Sequence, residues 1–203
     1  MQTHPHLERD IRDHLTNQAN LTQALLDSEQ VGKALALAAN LCLNAVRGGH
    51  ALWFVGNGIS AVDAQRMAAL VMTKGMACAV PVRAFALATD GAMVTALAND
   101  HGVSSMFTWQ IKSVCKPGDV LLAFSSSGNS PNVVEGLRLG KIIGMASIGF
   151  MGAKPGEMAR WCDACLHVPS AHSSLVQDAH VTLGRVLATL LMDALKSGGS
   201  LSH

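Results

Sequence analysis

The chain has 203 residues and a formal net charge of +1, so it can form one domain with a sizeable core and shows no bias toward nucleic acid or an acidic partner. Hydrophobic residues make up 49% of the chain, which excludes a disordered protein, and aromatic residues only 4%, which excludes the stacking surfaces of a single-strand nucleic-acid binder. No signal-peptide pattern and no apolar run of membrane-spanning length is visible, so we expect a cytoplasmic protein without a membrane segment.

Two helices are predicted in the first 47 residues. Leu7, Ile11 and Leu15 recur at helical intervals, and a second periodic run at 31–46 ends before Gly48. Because no strand-like stretch separates them, both helices precede the first strand. They serve either as an oligomerisation arm or as a cap over the core, and the sequence leaves both alternatives open.

From residue 51, short apolar runs alternate with helical segments. The apolar runs are 51–55, 82–87, 120–124, 144–148 and 165–168, and helical periodicity occupies 60–74, 131–141 and 174–196. Continuous apolar strands that alternate with helices predict a parallel sheet buried on both faces. The predicted fold class is therefore α/β, a three-layer αβα sandwich with a five-stranded parallel sheet and two preceding helices.

We predict a single domain in three parts. The N-terminal helices occupy 1–48, the ligand-binding core occupies 49–196, and the Gly/Ser-rich tail at 197–203 is expected to fray. Ligands of parallel sheets bind beyond the carboxyl ends of the strands, so the informative loops are those that follow each apolar run.

The loop after the third apolar run carries four serines in six residues. Its sequence is Ser125-Ser126-Ser127-Gly128-Asn129-Ser130, followed by Pro131. Pro131 suits the first turn of a helix, whose N-terminus offers free N–H groups and the positive end of the dipole. Serine hydroxyls add donors that can rotate onto phosphate oxygens. The alternative, a plain N-cap and a turn, needs only one serine, so the loop predicts a phosphate site.

Two other loops offer polar groups at the same edge. Gly56-Asn57-Gly58-Ile59-Ser60 follows the first apolar run, and Asn57 and Ser60 could reach a ligand. The loop matches neither the dinucleotide fingerprint nor the Walker loop, which favours a small phosphorylated ligand over a nucleotide. Thr89-Asp90 and Asn99-Asp100 could contact sugar hydroxyls, with helix capping as the alternative for the first pair.

The five cysteines are an odd number without a regular framework, so we expect free thiols. Cys162 and Cys165 form a C-x-x-C pair, which can indicate redox chemistry or half of a zinc site. No second pair with zinc spacing exists, and the pair leads into the apolar stretch Leu166-His167-Val168. Strand packing is therefore the favoured interpretation.

Together these motifs resemble the SIS (sugar isomerase) domain. The resemblance rests on Gly56-Asn57-Gly58-x-Ser60, Ala98-Asn99-Asp100, Gly118-Asp119-Val120-Leu121-Leu122 and the serine loop, and it covers almost the whole chain. Within the superfamily, the chain resembles the branch that holds phosphoheptose isomerases and the non-enzymatic regulator DiaA. The resemblance implies a flavodoxin-like SIS fold and a homotetramer with the N-terminal helices in the subunit packing.

The resemblance also implies a phosphorylated sugar as ligand and, for the DiaA kind, a protein partner such as a replication initiator, without direct nucleic-acid binding. The implied binding residues are Asn57, Gly58, Ser60, Asp100, Ser125, Ser126, Ser127, Asn129, Ser130 and Gln177.

Of the family's catalytic set, only Gln177 is kept. The resemblance to phosphoheptose isomerases implies a His and a Glu on the helix after the first loop. It also implies a Gln and a His on the last helix. The matching positions here are Arg66, Leu70, Gln177 and Arg185. A leucine cannot act as the base that aldose–ketose isomerisation requires. Leucine and arginine are also not zinc ligands, so we expect no cofactor, including the zinc of some family members.

Four charged or titratable residues at or near these positions lead to further hypotheses about catalysis and ligand choice. His180 and Asp63 are candidates for a displaced base, with a structural histidine and an early-helix acid as the alternatives. If Arg66 and Arg185 face the cleft, they favour a ligand with a second anionic group, such as a bisphosphate or a sugar acid. Alternatively, they point outward or pair with Asp63 and Asp178.

Three functions follow from this pattern. The first is a regulatory phosphosugar-binding protein of the DiaA kind, and the second is an isomerase that converts sedoheptulose 7-phosphate to heptose 7-phosphate with a displaced base. The third is a structural tetramer with a vestigial phosphate loop. The missing His and Glu favour the first over the second, and the intact serine loop argues against the third.

Overall fold

The computed structural model describes residues 5–78 and 80–197. Within these residues the helices are α1 (Pro5–Leu26), α2 (Glu29–Arg47), α3 (Ile59–Gly75), α4 (Gly91–His101), α5 (Met106–Val114), α6 (Pro131–Ile142) and α7 (Ser173–Lys196). The strands are β1 (Ala51–Gly56), β2 (Arg83–Ala86), β3 (Val120–Ser125), β4 (Ala146–Met151) and β5 (Ala164–His167). Two 3-10 segments, Val103–Ser105 and Glu157–Trp161, complete the regular structure of the described residues. Apart from Ser197, the predicted tail lies outside them.

The five strands form one parallel sheet in the order β2-β1-β3-β4-β5. This confirms the predicted α/β sandwich. After β1 the chain adds β2 on one side, and it then returns to add β3, β4 and β5 on the other. The strand order therefore reverses between β1 and β3, and the loops that follow these two strands flank the crevice where such sheets bind ligands.

The sheet separates two hydrophobic clusters. Leu52 and Phe54 of β1 belong to a cluster with α2, α3 and α7, whereas Trp53 and Val55 belong to a second cluster with α5 and α6. The alternation follows from the two-residue period of a strand. Because both faces are covered, β1 and β3 are buried along their whole length. Each buried phenylalanine contributes roughly 1.5–3 kcal/mol to the free energy of folding.

Asp119 anchors the amino ends of the two central strands. Its buried carboxylate accepts hydrogen bonds from the Ala51 N–H (2.8 Å), the Trp53 indole N–H (2.8 Å) and the Lys116 N–H (2.9 Å). These bonds fix the start of β1 against the start of β3. The two loops at the opposite ends of these strands are thereby held in register.

The predicted elements differ from the structure at α4, at α5 and at both ends of β4, which ends at Met151 rather than at Ile148. Helices α3, α6 and α7 begin and end within one residue of the predicted ranges, but α4 and α5 were not predicted. β4 begins at Ala146 rather than at Gly144, because Gly144 has a φ of +87° and forms a turn whose carbonyl accepts the Gly118 N–H (2.9 Å).

α1 joins the core only at its end. Leu21 and Leu25 are buried, whereas residues 6–17 are all exposed. α2 packs against α7 and β5, so α2 and the last turns of α1 cover the core. No helix among the described residues combines the length and the hydropathy of a membrane-spanning segment.

Candidate functional site

The loops after β1 and β3 lie side by side at the carboxyl edge of the sheet. Gly56, the last residue of β1, is the register partner of Phe124, and Ser125 ends β3 one residue later. The segment from Ser125 to Ser130, called the serine loop below, then leads into α6. Both predicted ligand loops therefore open onto the crevice where the strand order reverses.

Three hydroxyls of the serine loop converge. Ser125 is buried at 4% exposure, and its Oγ lies 3.0 Å from the Ser130 Oγ and 3.4 Å from the Ser127 Oγ. Ser127 is exposed and Ser130 is half-buried, so the group opens to solvent on one side. Hydroxyls that hydrogen-bond one another can turn their donors toward a bound anion instead.

Ser130 is the N-cap residue of α6, but its side chain makes no capping hydrogen bond. Pro131 occupies the first helical position, as predicted. The plain N-cap alternative therefore does not describe this serine, whose hydroxyl turns back to Ser125. The Ser130 hydroxyl thus remains a free-to-turn donor at the N-terminus of α6, where the helix dipole is positive.

Gly128 shapes the turn of the loop. It has a φ of +67°, its N–H donates to the Ser125 carbonyl (3.0 Å), and a Cβ here would lie 2.9 Å from the Pro155 carbonyl oxygen. Both the backbone conformation and the contact require glycine. The tight turn brings the Ser127 hydroxyl back toward Ser125.

An amide pair joins the two loops across the crevice. Asn57 Nδ2 donates to Asn132 Oδ1 (2.7 Å), and Asn132 Nδ2 donates to Asn57 Oδ1 (2.8 Å). Asn132 is buried in the first turn of α6 and its Oδ1 also accepts the Val133 N–H (3.0 Å). The sequence prediction included Asn57 but missed Asn132, which lies far along the chain.

The loop after β4 packs against the serine loop as a further wall of the crevice, beside the loops after β1 and β3. The sequence did not predict this wall. The Glu157 N–H donates to Asn129 Oδ1 (2.8 Å), and the Met158 N–H donates to the Gly128 carbonyl (2.9 Å). The Gly152 N–H donates to the Ser126 carbonyl (3.1 Å). The side-chain oxygen of Asn129 therefore holds this wall, and the side-chain Nδ2 of Asn129 donates to the Ser127 backbone carbonyl (3.0 Å).

The other predicted binding residues are spread around this centre. Ser126 Oγ lies 3.1 Å from the Oγ of Ser173, the first residue of α7. Ser60 is buried in the first turn of α3, where Gly56 leaves room for its carbonyl, since a Cβ at residue 56 would lie 2.5 Å from that oxygen. Asp100 is exposed near the end of α4 and accepts a hydrogen bond from Asn99 (2.8 Å), outside the network of the serine loop.

Asp90 caps a helix, which was one of the two alternatives that the sequence left open for it. Its side chain accepts the Met93 N–H (3.0 Å) at the start of α4. The Thr89 hydroxyl donates to the Ala86 carbonyl (3.2 Å). Both side chains thus have local structural roles.

The two candidates for a displaced base are buried. His180 has no exposed surface and packs edge-on against the stacked rings of Phe124 and Phe150, and burial lowers its pKa to about 4. Asp63 is 5% exposed, and burial raises its pKa, an effect that Arg66 opposes and Asp178 reinforces. Neither side chain reaches the surface of the crevice.

The helix positions at which the family resemblance places the isomerase set differ in burial. Arg66 and Arg185 are exposed, Gln177 is half-buried, and Leu70 packs against the hydrophobic cluster of α3 and α7. Neither guanidinium forms an ion pair within the described part of the chain. Because leucine and two arginines supply no metal ligand, these residues do not fit a zinc ion.

Comparison with known proteins gives one family. The SIS domain family matches residues 16–152. The chain is 37% identical to the phosphoheptose isomerase of Nitratidesulfovibrio vulgaris (strain DSM 19637 / Miyazaki F) over 180 residues, which cover 89% of this chain and 86% of that protein. It is 39% identical to the phosphoheptose isomerase of Rhodospirillum rubrum over 164 residues, which cover 81% of this chain and 87% of that protein.

The fold comparison agrees. The structure of phosphoheptose isomerase GmhA from Neisseria gonorrhoeae superposes with a TM-score of 0.84 at 29% identity, over 93% of this chain and 99% of the other.

Proposed function

The chain belongs to the SIS-domain family, and on this premise we propose that it is a regulatory phosphosugar-binding protein of the DiaA-like kind. One observation carries the proposal. The serine loop is intact, while the helix positions at which the resemblance places the isomerase acid–base groups hold Arg66, Leu70 and Arg185. The site would therefore bind a phosphorylated sugar without isomerising it.

The geometry of the serine loop supports phosphate binding. The hydroxyls of Ser125, Ser127 and Ser130 converge at the start of α6, a helix of 12 residues. Phosphate oxygens would replace the hydrogen bonds between the serines, and the helix dipole would favour their negative charge. The Asn57–Asn132 pair and the wall after β4 would hold the loop in place before the ligand arrives.

The burial of the remaining titratable groups supports binding over turnover. A general base must come within hydrogen-bond reach of the proton that it removes. His180 and Asp63 lie inside the core rather than at the crevice. Neither would reach the sugar carbons of a ligand held by the serine loop without a rearrangement of α3 or α7.

A binding and turnover experiment tests the proposal. We expect calorimetric binding of sedoheptulose 7-phosphate and no conversion in a coupled assay. Ser127→Ala should weaken binding about tenfold or more, since a hydrogen bond to a charged group contributes roughly 1.5–3 kcal/mol. The control is Ser113→Ala, because Ser113 lies on α5 and donates to the Trp109 carbonyl (2.9 Å).

Turnover by the wild-type protein that Ser127→Ala abolishes would contradict the proposal. That result would establish the second candidate function, a phosphoheptose-type isomerase with a displaced base, which the similarity to phosphoheptose isomerases favours. Folded protein that binds no phosphosugar would instead indicate a vestigial loop.

We further propose that Arg66 and Arg185 select a ligand with a second anionic group. Both guanidinium groups are exposed on helices that pack together and begin at the carboxyl edge of the sheet. Calorimetry should show tighter binding of a sugar bisphosphate than of the monophosphate, and Arg66→Ala should reduce that difference about tenfold. Arg138→Ala, which removes an exposed arginine paired with Glu135 on α6, is the control. Equal affinities that Arg66→Ala leaves unchanged would refute the idea.

A further inference from the structure

The C-x-x-C pair lies at the β5 edge of the sheet. Cys162 follows the 3-10 segment Glu157–Trp161, and Cys165 lies in β5, the last strand of the sheet. Both are free cysteines, both are half-buried, and both pack against the cluster of α5 and α6. The predicted strand packing is therefore present, but it leaves two neighbouring thiols that the proposed ligand site does not use.

Gly149 lets the two sulfurs share one face of the sheet. It is the register partner of Cys165 on β4, and a Cβ at residue 149 would lie only 2.7 Å from the Cys162 Sγ. Register partners on adjacent strands lie about 5 Å apart. The Cys162 sulfur thus occupies the space beside the Cys165 side chain that a larger residue at 149 would fill.

The two thiols differ in access and in acidity. Cys165 lines a pocket of about 210 Å³ that His167 and the start of α2 also line. The interaction between the two thiols lowers the pKa of Cys165 and raises that of Cys162, and the burial of Cys162 adds to the latter effect. The Cys165 Sγ also lies 3.9 Å from the Ala159 carbonyl oxygen. The more accessible thiol is thus also the better nucleophile at neutral pH.

We propose that Cys162 and Cys165 form a reversible disulfide by exchange with a low-molecular-weight disulfide. Cys165 Sγ attacks one sulfur of that reagent, which breaks its S–S bond, forms a mixed disulfide and releases one thiol. Cys162 Sγ then attacks Cys165 Sγ, which closes the intramolecular bond and releases the second thiol. Two electrons pass to the reagent, and the two protons of the protein thiols end on the released thiols.

The disulfide would link the end of the 3-10 segment to the edge strand. The same segment donates the Glu157 and Met158 amides to the serine loop. The pair therefore sits one short segment away from the crevice. The exchange reaction itself depends only on the two thiols and not on what the serine loop binds.

Oxidised glutathione is the probe for the test. The folded protein is incubated with it, the reaction is stopped with acid, and free thiols are alkylated after unfolding. Peptide masses should show Cys162 and Cys165 joined, with a loss of two hydrogens, while the buried Cys42 is fully alkylated. Cys162→Ser should accumulate glutathione on Cys165, and Cys165→Ser should leave Cys162 unmodified.

Two further variants make the result specific. Cys78→Ser, which removes another half-buried thiol, should leave the disulfide yield unchanged. Gly149→Ala should lower the yield, because its methyl group would displace the Cys162 sulfur. Circular dichroism shows whether each variant is folded. Wild-type protein in which both thiols remain alkylatable, or Cys162→Ser that gathers no glutathione, would overturn the proposal.

Discussion

His180 is a buried imidazole in an apolar environment, edge-on to the stacked rings of Phe124 and Phe150. Neither of its ring nitrogens makes a well-aligned hydrogen bond within the described residues, and only an interaction with the Met151 backbone opposes the effect of burial on its pKa. Burial disfavours the charged form, so the pKa of His180 falls from 6.5 to about 4. The group is neutral in the folded protein near pH 7.

This lowered pKa predicts a pH dependence of stability. Between about pH 6.5 and 4 the unfolded chain binds a proton at His180 and the folded chain does not. The free energy of unfolding should therefore decrease as the pH falls through this range, by up to about 1.4 kcal/mol per pH unit. The contribution is fully present above pH 6.5 and is lost by about pH 4. Urea unfolding at a series of pH values measures it.

His180→Leu separates this effect from the titration of the carboxylates, which both proteins share. The variant should lose stability less steeply than the wild type below pH 6.5. His172→Leu, which replaces an exposed histidine just before the same helix, should follow the wild-type slope. Parallel curves for the wild type and His180→Leu would show that the residue does not titrate as described.

The site residues that sequence could identify are those whose chemistry is concentrated in one segment. Four serines in six residues point to an anion without any knowledge of the fold. Asn132 carries no such signal, because its importance comes from facing Asn57 across the crevice. The wall after β4 was missed for the same reason. Its amides bond to Asn129 and Gly128, and a backbone N–H has no signature in the sequence.

Elements were predictable where burial imposes a periodic pattern. β1 and β3 are buried on both faces and read as continuous apolar runs, and α7 carries a long apolar stripe. α4 has no buried residue, so no apolar periodicity marks it. α5 is only 9 residues long and is too short for a clear period. The β4 boundary was wrong because a turn glycine lies within an apolar stretch.

At the scale of the whole molecule, the first half of α1 is the part that the single chain does not account for. Leu7, Ile11 and Leu15 are 54%, 51% and 67% exposed and lie four residues apart along one stripe. A helical segment without tertiary contacts gains little stability from helix formation alone in water, and we expect an apolar stripe of this kind to be covered by a partner. We infer that other copies of the chain cover it, in line with the homotetramer that the family resemblance implies.

Light scattering after size exclusion tests this inference. The wild-type protein should have a molar mass four times that of one chain. Replacing Leu7, Ile11 and Leu15 by Gln should reduce the mass to that of a dimer or a monomer, because three polar amides would have to be buried at each interface. Since these residues contact little else in their own chain, the circular dichroism of the core should persist.

The matched control places the same change on the opposite face of the sheet. Val103, Val114 and Ile142 are 61%, 46% and 67% exposed and belong to the layer of α5 and α6. If exposed apolar surface in general drove association, replacing these three by Gln would reduce the mass as well. If the α1 stripe is the interface, this control keeps the wild-type mass. A wild-type monomer would contradict the inference and would leave the stripe free for a different protein.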